Sequence, residues 1–111
     1  MKRYCLALDL VNDAEKIKQY QQYHQKVWPE ITTNIRNRGV LDMQIWQVEN
    51  RLFMIMETTD DYDADLAQSV AVSEPKNLEW ETLMSQYQQV LPSAKPGEKW
   101  IEMEKIFDLK Q

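Results

Sequence analysis

The segment from Val40 to Thr58 constrains the fold more than any other. Two runs rich in Val, Ile, Met, Phe and Trp, Val40–Val48 and Arg51–Thr58, are separated only by Glu49-Asn50, a spacing that suits a tight antiparallel hairpin. Within Leu52-Phe-Met-Ile-Met56 both alternating faces are apolar, and Trp46 and Val48 fall on the face opposite Met43 and Ile45. A sheet wet on one side would alternate with polar residues instead. Both faces therefore need cover. With 111 residues the chain is expected to make a single domain, residues 1–111, with a real core. Its own helices can supply one cover; few elements remain for the other, which points to a second subunit.

The rest of the chain divides around this hairpin. Tyr4, Leu6, Leu8 and Leu10 alternate with Arg3, Cys5, Ala7 and Asp9, the period of a half-buried strand. Asn12 or Asp13 supplies a helix N-cap, Glu15 lies in the first turn, and the helix runs to about Val27. Pro29 fits the first position of a second helical segment that carries Ile31 and Ile35 inward and ends at Gly39, suited to a left-handed cap. Ser73-Glu-Pro75 opens the last long helix, with Leu78, Leu83, Tyr87 and Val90 as its apolar positions before Pro92. Trp80 and Met84, one turn apart, are expected in its core. After the Lys95-Pro-Gly97 turn, Trp100 to Leu109 reads as the final strand, with Ile101, Met103, Lys105, Phe107 and Leu109 on one face. The order β, α, β, β, α, β is the split βαβ of an α+β, ferredoxin-like domain with an antiparallel sheet.

Charge and composition exclude several function classes. A formal net charge of -5 without a Lys/Arg cluster argues against nucleic acid, whose phosphates demand a basic footprint. No apolar run approaches the roughly 20 residues of a membrane span, and the start Met1-Lys-Arg-Tyr-Cys-Leu is unlike a signal peptide, so a cytoplasmic protein is expected. One cysteine and one histidine allow neither an internal disulfide nor a structural zinc cluster, and no metal site is expected. Cys5 reads as core. The acidic run Asp60-Asp-Tyr-Asp-Ala-Asp65 begins like a calcium loop but lacks the central Gly and closing Glu; a solvated turn with helix-capping aspartates explains it better.

Chemistry is expected in Tyr20-Gln-Gln-Tyr-His-Gln-Lys-Val-Trp-Pro-Glu-Ile31, which holds the one histidine, His24. Tyr20, His24 and Trp28 succeed one another at i, i+4, so on a helix they line one groove, and Pro29 halts that helix. Histidine alone has an unperturbed pKa, about 6.5, suited to exchanging protons near neutrality. A lone histidine on an amphipathic helix is nevertheless more often structural, and the spacing alone leaves its function open.

Tyr20-x-x-x-His24-x-x-x-Trp28-Pro29-Glu30, then Gly39, Asn50-x-Leu-Phe53 with Glu57, and Trp80-x-x-x-Met84 resemble the L-rhamnose mutarotase family over nearly the whole chain. The resemblance implies a homodimer of ferredoxin-like subunits, a dimeric α+β barrel. It implies that the protein interconverts the α and β anomers of a 6-deoxy hexose, a small monosaccharide, without a cofactor. His24 matches the family's proposed proton donor and Tyr20 a substrate-contacting residue. Trp80 matches the first of two neighbouring tryptophans at the sugar site, where an aromatic ring can cover the C–H face of a sugar. Trp28, Pro29 and Glu30 belong to the motif but are expected to shape the helix break. Two positions depart from the pattern: Glu81 stands in place of the second tryptophan, and Met43 in place of a substrate-facing tyrosine. An acceptor carboxylate thus replaces an indole, and a thioether a phenol. L-Rhamnose is the default substrate and L-fucose its closest competitor. Other functions on such a barrel would be a cofactor-free monooxygenase, a haem-handling protein with His24 as axial ligand, or a sugar sensor without turnover; fold alone does not choose among them.

Overall fold

Strand β1 (Lys2–Leu10) runs through the middle of an antiparallel sheet in the computed structural model of the protein, which describes residues 1–110. Asp13 caps helix α1 (Ala14–Gln25) by accepting from the backbone N–H groups of Glu15 and Lys16 at 3.0 and 3.1 Å, satisfying donors that a helix start leaves unpaired. Helix α2 (Pro29–Asn37) begins with Pro29, where a missing N–H costs nothing. Its C-terminal turn closes through the Gly39 N–H donating to the Arg36 carbonyl at 3.0 Å. Gly39 has φ +94°, a conformation that strains any other residue, and a Cβ there would also stand a tight 3.2 Å from Thr59 Oγ1.

Strands β2 (Val40–Val48) and β3 (Arg51–Thr58) pair with Val48 opposite Arg51, leaving Glu49-Asn50 as the turn. The turn is tied to β1: Asn50 Nδ2 donates to the Leu10 carbonyl at 3.1 Å, and the Leu10 N–H to the Asn50 carbonyl. Leu41 is the extra residue of a bulge between Val40 and Asp42. Directly paired residues share a face, so the register sorts the sheet. Leu6, Leu8, Leu52, Met54, Met43 and Ile45 look toward the helices, while Cys5, Phe53, Ile55, Trp46 and Val48 look away. Leu8, Leu10 and Leu52 are fully buried, each stabilising the fold by about 1.5–3 kcal/mol relative to exposure. Cys5 is only half-buried, on the face away from the helices, and so lies outside the core that its apolar strand pattern predicts.

The second half of the chain departs from expectation in three places. The acidic turn caps a helix as its aspartates suggest, with Asp63 accepting from Asp65 and Leu66 N–H at 2.8 and 3.1 Å, but that helix, α3 (Ala64–Ser73), is a separate element outside the β, α, β, β, α, β order. It buries only Ala67 and Ala71, whose small side chains make no apolar stripe in the sequence. Helix α4 (Pro75–Ser85) ends earlier than the spacing suggested and buries Asn77, Trp80 and Met84, while Leu78 is 44 % exposed and Val90 lies beyond it at the surface. Asn77 breaks the apolar pattern because its polar atoms are satisfied inside: Nδ2 donates to the Ala71 carbonyl at 3.1 Å and Oδ1 accepts from Arg38 at 3.0 Å. The fourth strand is interrupted. Strand β4 (Gln88–Gln89) pairs with Asp9 and Leu10, and β5 (Ile101–Glu102) with Leu6 and Ala7, on the free edge of β1. Pairing of the last strand stops near Met103, whose N–H reaches the Cys5 carbonyl at 2.7 Å, and Phe107 and Leu109 are exposed rather than in a strand. The strand order β2-β3-β1-β4, with β5 beside β4 on the same edge, is the ferredoxin-like arrangement with its last strand broken.

Candidate active site

The helix-facing side of the sheet and helices α1, α2 and α4 enclose a cavity of about 700 Å³, within the range of small-molecule sites. Helix α1 presents Tyr20 and His24 to it one turn apart, α4 presents Trp80 and Glu81, and β2 presents Met43. The structure thus brings together on one cavity all five residues singled out in the sequence. Trp28 does not line it; its ring packs 5.0 Å from that of Trp80, with Lys76 Nζ 5.8 Å from its ring centre. Trp28 precedes Pro29 as the N-cap position of α2, so it holds the helix break and backs the cavity wall.

His24 is fixed from several sides. Its Nδ1 lies 2.8 Å from the Tyr20 carbonyl; a carbonyl only accepts, so Nδ1 carries the proton and Nε2 is left with the lone pair. Tyr20 lies 4.3 Å from the imidazole, centre to centre, and Trp80 meets it edge-on at 5.6 Å. Tyr23 and Tyr87 extend this aromatic wall, at 6.1 Å from Trp80 for Tyr23 and 6.0 Å between the two tyrosines. Burial lowers the pKa of His24 and outweighs the Tyr20 carbonyl, which favours the protonated form. The imidazole is therefore neutral near pH 7, ready to accept a proton. Burial likewise raises the pKa of the Tyr20 phenol, keeping it a hydrogen-bond donor.

Arg38, Gln88, Asp42, Lys99 and Trp100 also line the cavity and were not singled out in the sequence. Arg38 donates from Nε to Asn34 Oδ1 at 2.9 Å and from Nη2 to Asn77 Oδ1 at 3.0 Å, while Asn34 Nδ2 donates to the Val70 carbonyl at 3.0 Å. The two asparagines thereby fasten α3 to α2 and α4 and hold a partly buried guanidinium at the cavity. Burial disfavours its charge, and the Glu81 carboxylate favours it. No local pattern marks these residues, because long-range pairing brings them together. Among the described residues no group of three or more His, Cys, Asp or Glu side chains is placed to hold a metal ion, and no helix is long and apolar enough to cross a membrane.

The family model for L-rhamnose mutarotase matches residues 3–109. The chain belongs to the L-rhamnose mutarotase family. An L-fucose mutarotase of Xanthomonas campestris pv. campestris is 37 % identical over 113 residues, covering 100 % of this chain and 90 % of the relative. An L-rhamnose mutarotase of Paraburkholderia phymatum is 26 % identical over 80 residues, 70 % of either chain. Among solved structures, an L-rhamnose mutarotase from Formosa agariphila superposes with a TM-score of 0.71 at 21 % identity, covering 98 % of this chain and 99 % of that one. This sugar mutarotase family member is accordingly an isomerase, and its fold is the one expected from the order of its elements.

Proposed function

We propose that the protein interconverts the α and β anomers of a 6-deoxy hexose, with His24 carrying the proton. The observation that carries this reading is the tautomer set by the Tyr20 carbonyl: a neutral imidazole with its Nε2 lone pair free, in a cavity with room for a monosaccharide. Nε2 takes the proton of the anomeric hydroxyl. The O–H electron pair becomes the second bond of the aldehyde, the C1–O5 bond breaks toward O5, and O5 receives the proton. Both oxygens are bonded to C1, so a single nitrogen can serve as base at one and acid at the other. Rotation about C1–C2 and the reverse steps close the ring on the other face of the aldehyde. In this reading Trp80 covers the C–H face of the sugar, and Tyr20 donates to one of its oxygens. Glu81 accepts from a hydroxyl, and Met43 packs against apolar atoms. The chemistry asks for no cofactor.

L-Fucose and L-rhamnose are the proposed substrates. The full-length likeness to an L-fucose mutarotase, together with Glu81 and Met43 at the two departing positions, moves L-fucose ahead of L-rhamnose. Saturation-transfer NMR at anomeric equilibrium reads the exchange directly. Exchange of one of these sugars above the buffer rate is the expected result; buffer-rate exchange for both, alongside sugar binding, would make the protein a sensor. Preference and affinity unchanged in Glu81→Gln would remove Glu81 from the site.

The second subunit belongs to the same proposal. The sheet face away from the cavity carries Trp46, 59 % exposed, and Val48, 68 % exposed, beside half-buried Phe53 and Ile55. An apolar strip of this kind on a sheet is suited to burial against a second copy of the chain. A cytoplasmic setting accords with this proposed role in sugar metabolism.

A further inference from the structure

The Arg38 guanidinium is locked at the cavity wall in a way that leaves most of its donors unspent. Nε donates to Asn34 Oδ1 at 2.9 Å and Nη2 to Asn77 Oδ1 at 3.0 Å. Both asparagines are buried, and each commits its Nδ2 to a backbone carbonyl of α3, Asn34 to Val70 and Asn77 to Ala71, so each Oδ1 is left to face the guanidinium. Three helices thus fix one side chain. A guanidinium carries five N–H donors, of which two are used here; the pair on Nη1 and the second on Nη2 make no hydrogen bond among the described residues. The charge is equally unmatched. Asp42 and Glu81, the carboxylates on the cavity, form no ion pair with Arg38 among the described residues. A clamp between helices would not need a half-buried cation held only by neutral amides, since burying charge costs free energy unless it is met. A ligand oxygen in the cavity would meet it.

We infer that Arg38 is a substrate-binding residue that sets sugar choice: its remaining Nη1 and Nη2 N–H groups donate to two neighbouring hydroxyl oxygens of the bound sugar, one of them at C3. The inference rests on the proposed sugar site. Parallel N–H groups on the two terminal nitrogens form a fork suited to a pair of oxygens, and a 6-deoxy hexose offers such pairs at C2–C3 and C3–C4. Either pair includes the C3 hydroxyl. L-Fucose and L-rhamnose differ in configuration at C2 and C4, so a fork fixed by three helices cannot fit both sugars equally. Arg38 moves no proton in the reaction; it holds the ring that His24 acts on.

The test crosses residue with hydroxyl. Binding and anomer exchange of L-fucose, L-rhamnose and their 3-deoxy derivatives are measured by NMR for wild type and Arg38→Met. Arg38→Met is expected to weaken binding of the preferred sugar about tenfold to hundredfold, the loss of hydrogen bonds from a charged donor, with the loss falling mainly on KM. Removing the C3 hydroxyl should cost wild type about tenfold and the variant little or nothing, because the two changes delete the same contact. A purely structural Arg38 would instead leave the cost of the missing hydroxyl the same in both proteins. A second readout uses the wild-type chain, so the outcome does not depend on how well Arg38→Met folds. The 15N signals of the Arg38 Nη atoms, assigned through Arg38→Lys, should shift on adding the preferred sugar and shift less with its 3-deoxy derivative. An equal penalty in both proteins, or Nη signals that neither L-fucose nor L-rhamnose moves, would overturn the inference, and continued exchange would then leave the mutarotase reading standing. A sugar that moves the Nη signals yet does not exchange in wild type would strike the mutarotase reading and support Arg38 as the residue that holds it.

Discussion

The two faces of the β2–β3 hairpin are made of the same kinds of residue and meet different fates. On one, Leu52 and Met54 are buried beneath the helices, and Met43, Ile45 and Met54 help to wall a cavity. On the other, Trp46, Val48, Phe53 and Ile55 form a strip that the helices leave uncovered. Hydrophobicity alone therefore does not distinguish a ligand-facing side from a partner-facing one. What distinguishes them is polar placement: the cavity side gathers His24, Tyr20, Arg38, Glu81 and Gln88 from four separate elements or loops, whereas the far side carries mainly Arg3–Glu57 and Arg51–Asp9 ion pairs along β1 and β3. Those exposed pairs contribute little to stability; they suit the rim of a contact.

Breaking the cavity side should have the largest effect. Trp80→Ala removes the ring against which Tyr23, His24 and Trp28 pack, and a loss of about 3–5 kcal/mol in urea unfolding is expected. A loss below about 1 kcal/mol would place Trp80 outside the core. Asn77→Ala should cost about 1–3 kcal/mol, since it strands the Ala71 carbonyl and removes an acceptor from Arg38; chemical denaturation with an unchanged midpoint would refute that network. On the far side, Trp46→Asp should leave monomer packing intact yet weaken self-association by about 2 kcal/mol, roughly 30-fold in Kd. Sedimentation equilibrium checks it: a wild-type monomer, or a variant that associates as tightly as wild type, contradicts a partner on this face. The smallest effect concerns pH. Burial holds the pKa of His24 below its unfolded value near 6.5, so the unfolded chain binds the proton first as pH falls. The stability associated with this position is full above about pH 6.5 and declines below it until the folded group also protonates. The acid limb of urea stability should accordingly be shallower in His24→Gln than in wild type.

The same contrast explains what was legible in the sequence. The hairpin, a cap at Asn12 or Asp13, the cap at Gly39, and Tyr20, His24 and Trp80 as cavity residues follow from local periodicity, turn chemistry and a recognisable motif. Helix α3 leaves no apolar stripe in the sequence because Ala67 and Ala71 pack by being small, and the periodicity of α4 points to the wrong face because its buried face begins with a polar Asn77. Arg38 and Gln88 had no sequence signal at all. One reaches the cavity through two asparagines, the other through a two-residue strand whose place is set by its pairing with β1.

The central claim is that His24 moves the proton, and saturation-transfer NMR of wild type beside His24→Ala, at equal folded concentration and anomeric equilibrium, tests it most directly. The account predicts exchange of L-fucose or L-rhamnose well above the buffer rate for wild type and a loss of about 10²- to 10⁴-fold in the variant. Exchange that persists undiminished in His24→Ala would contradict it.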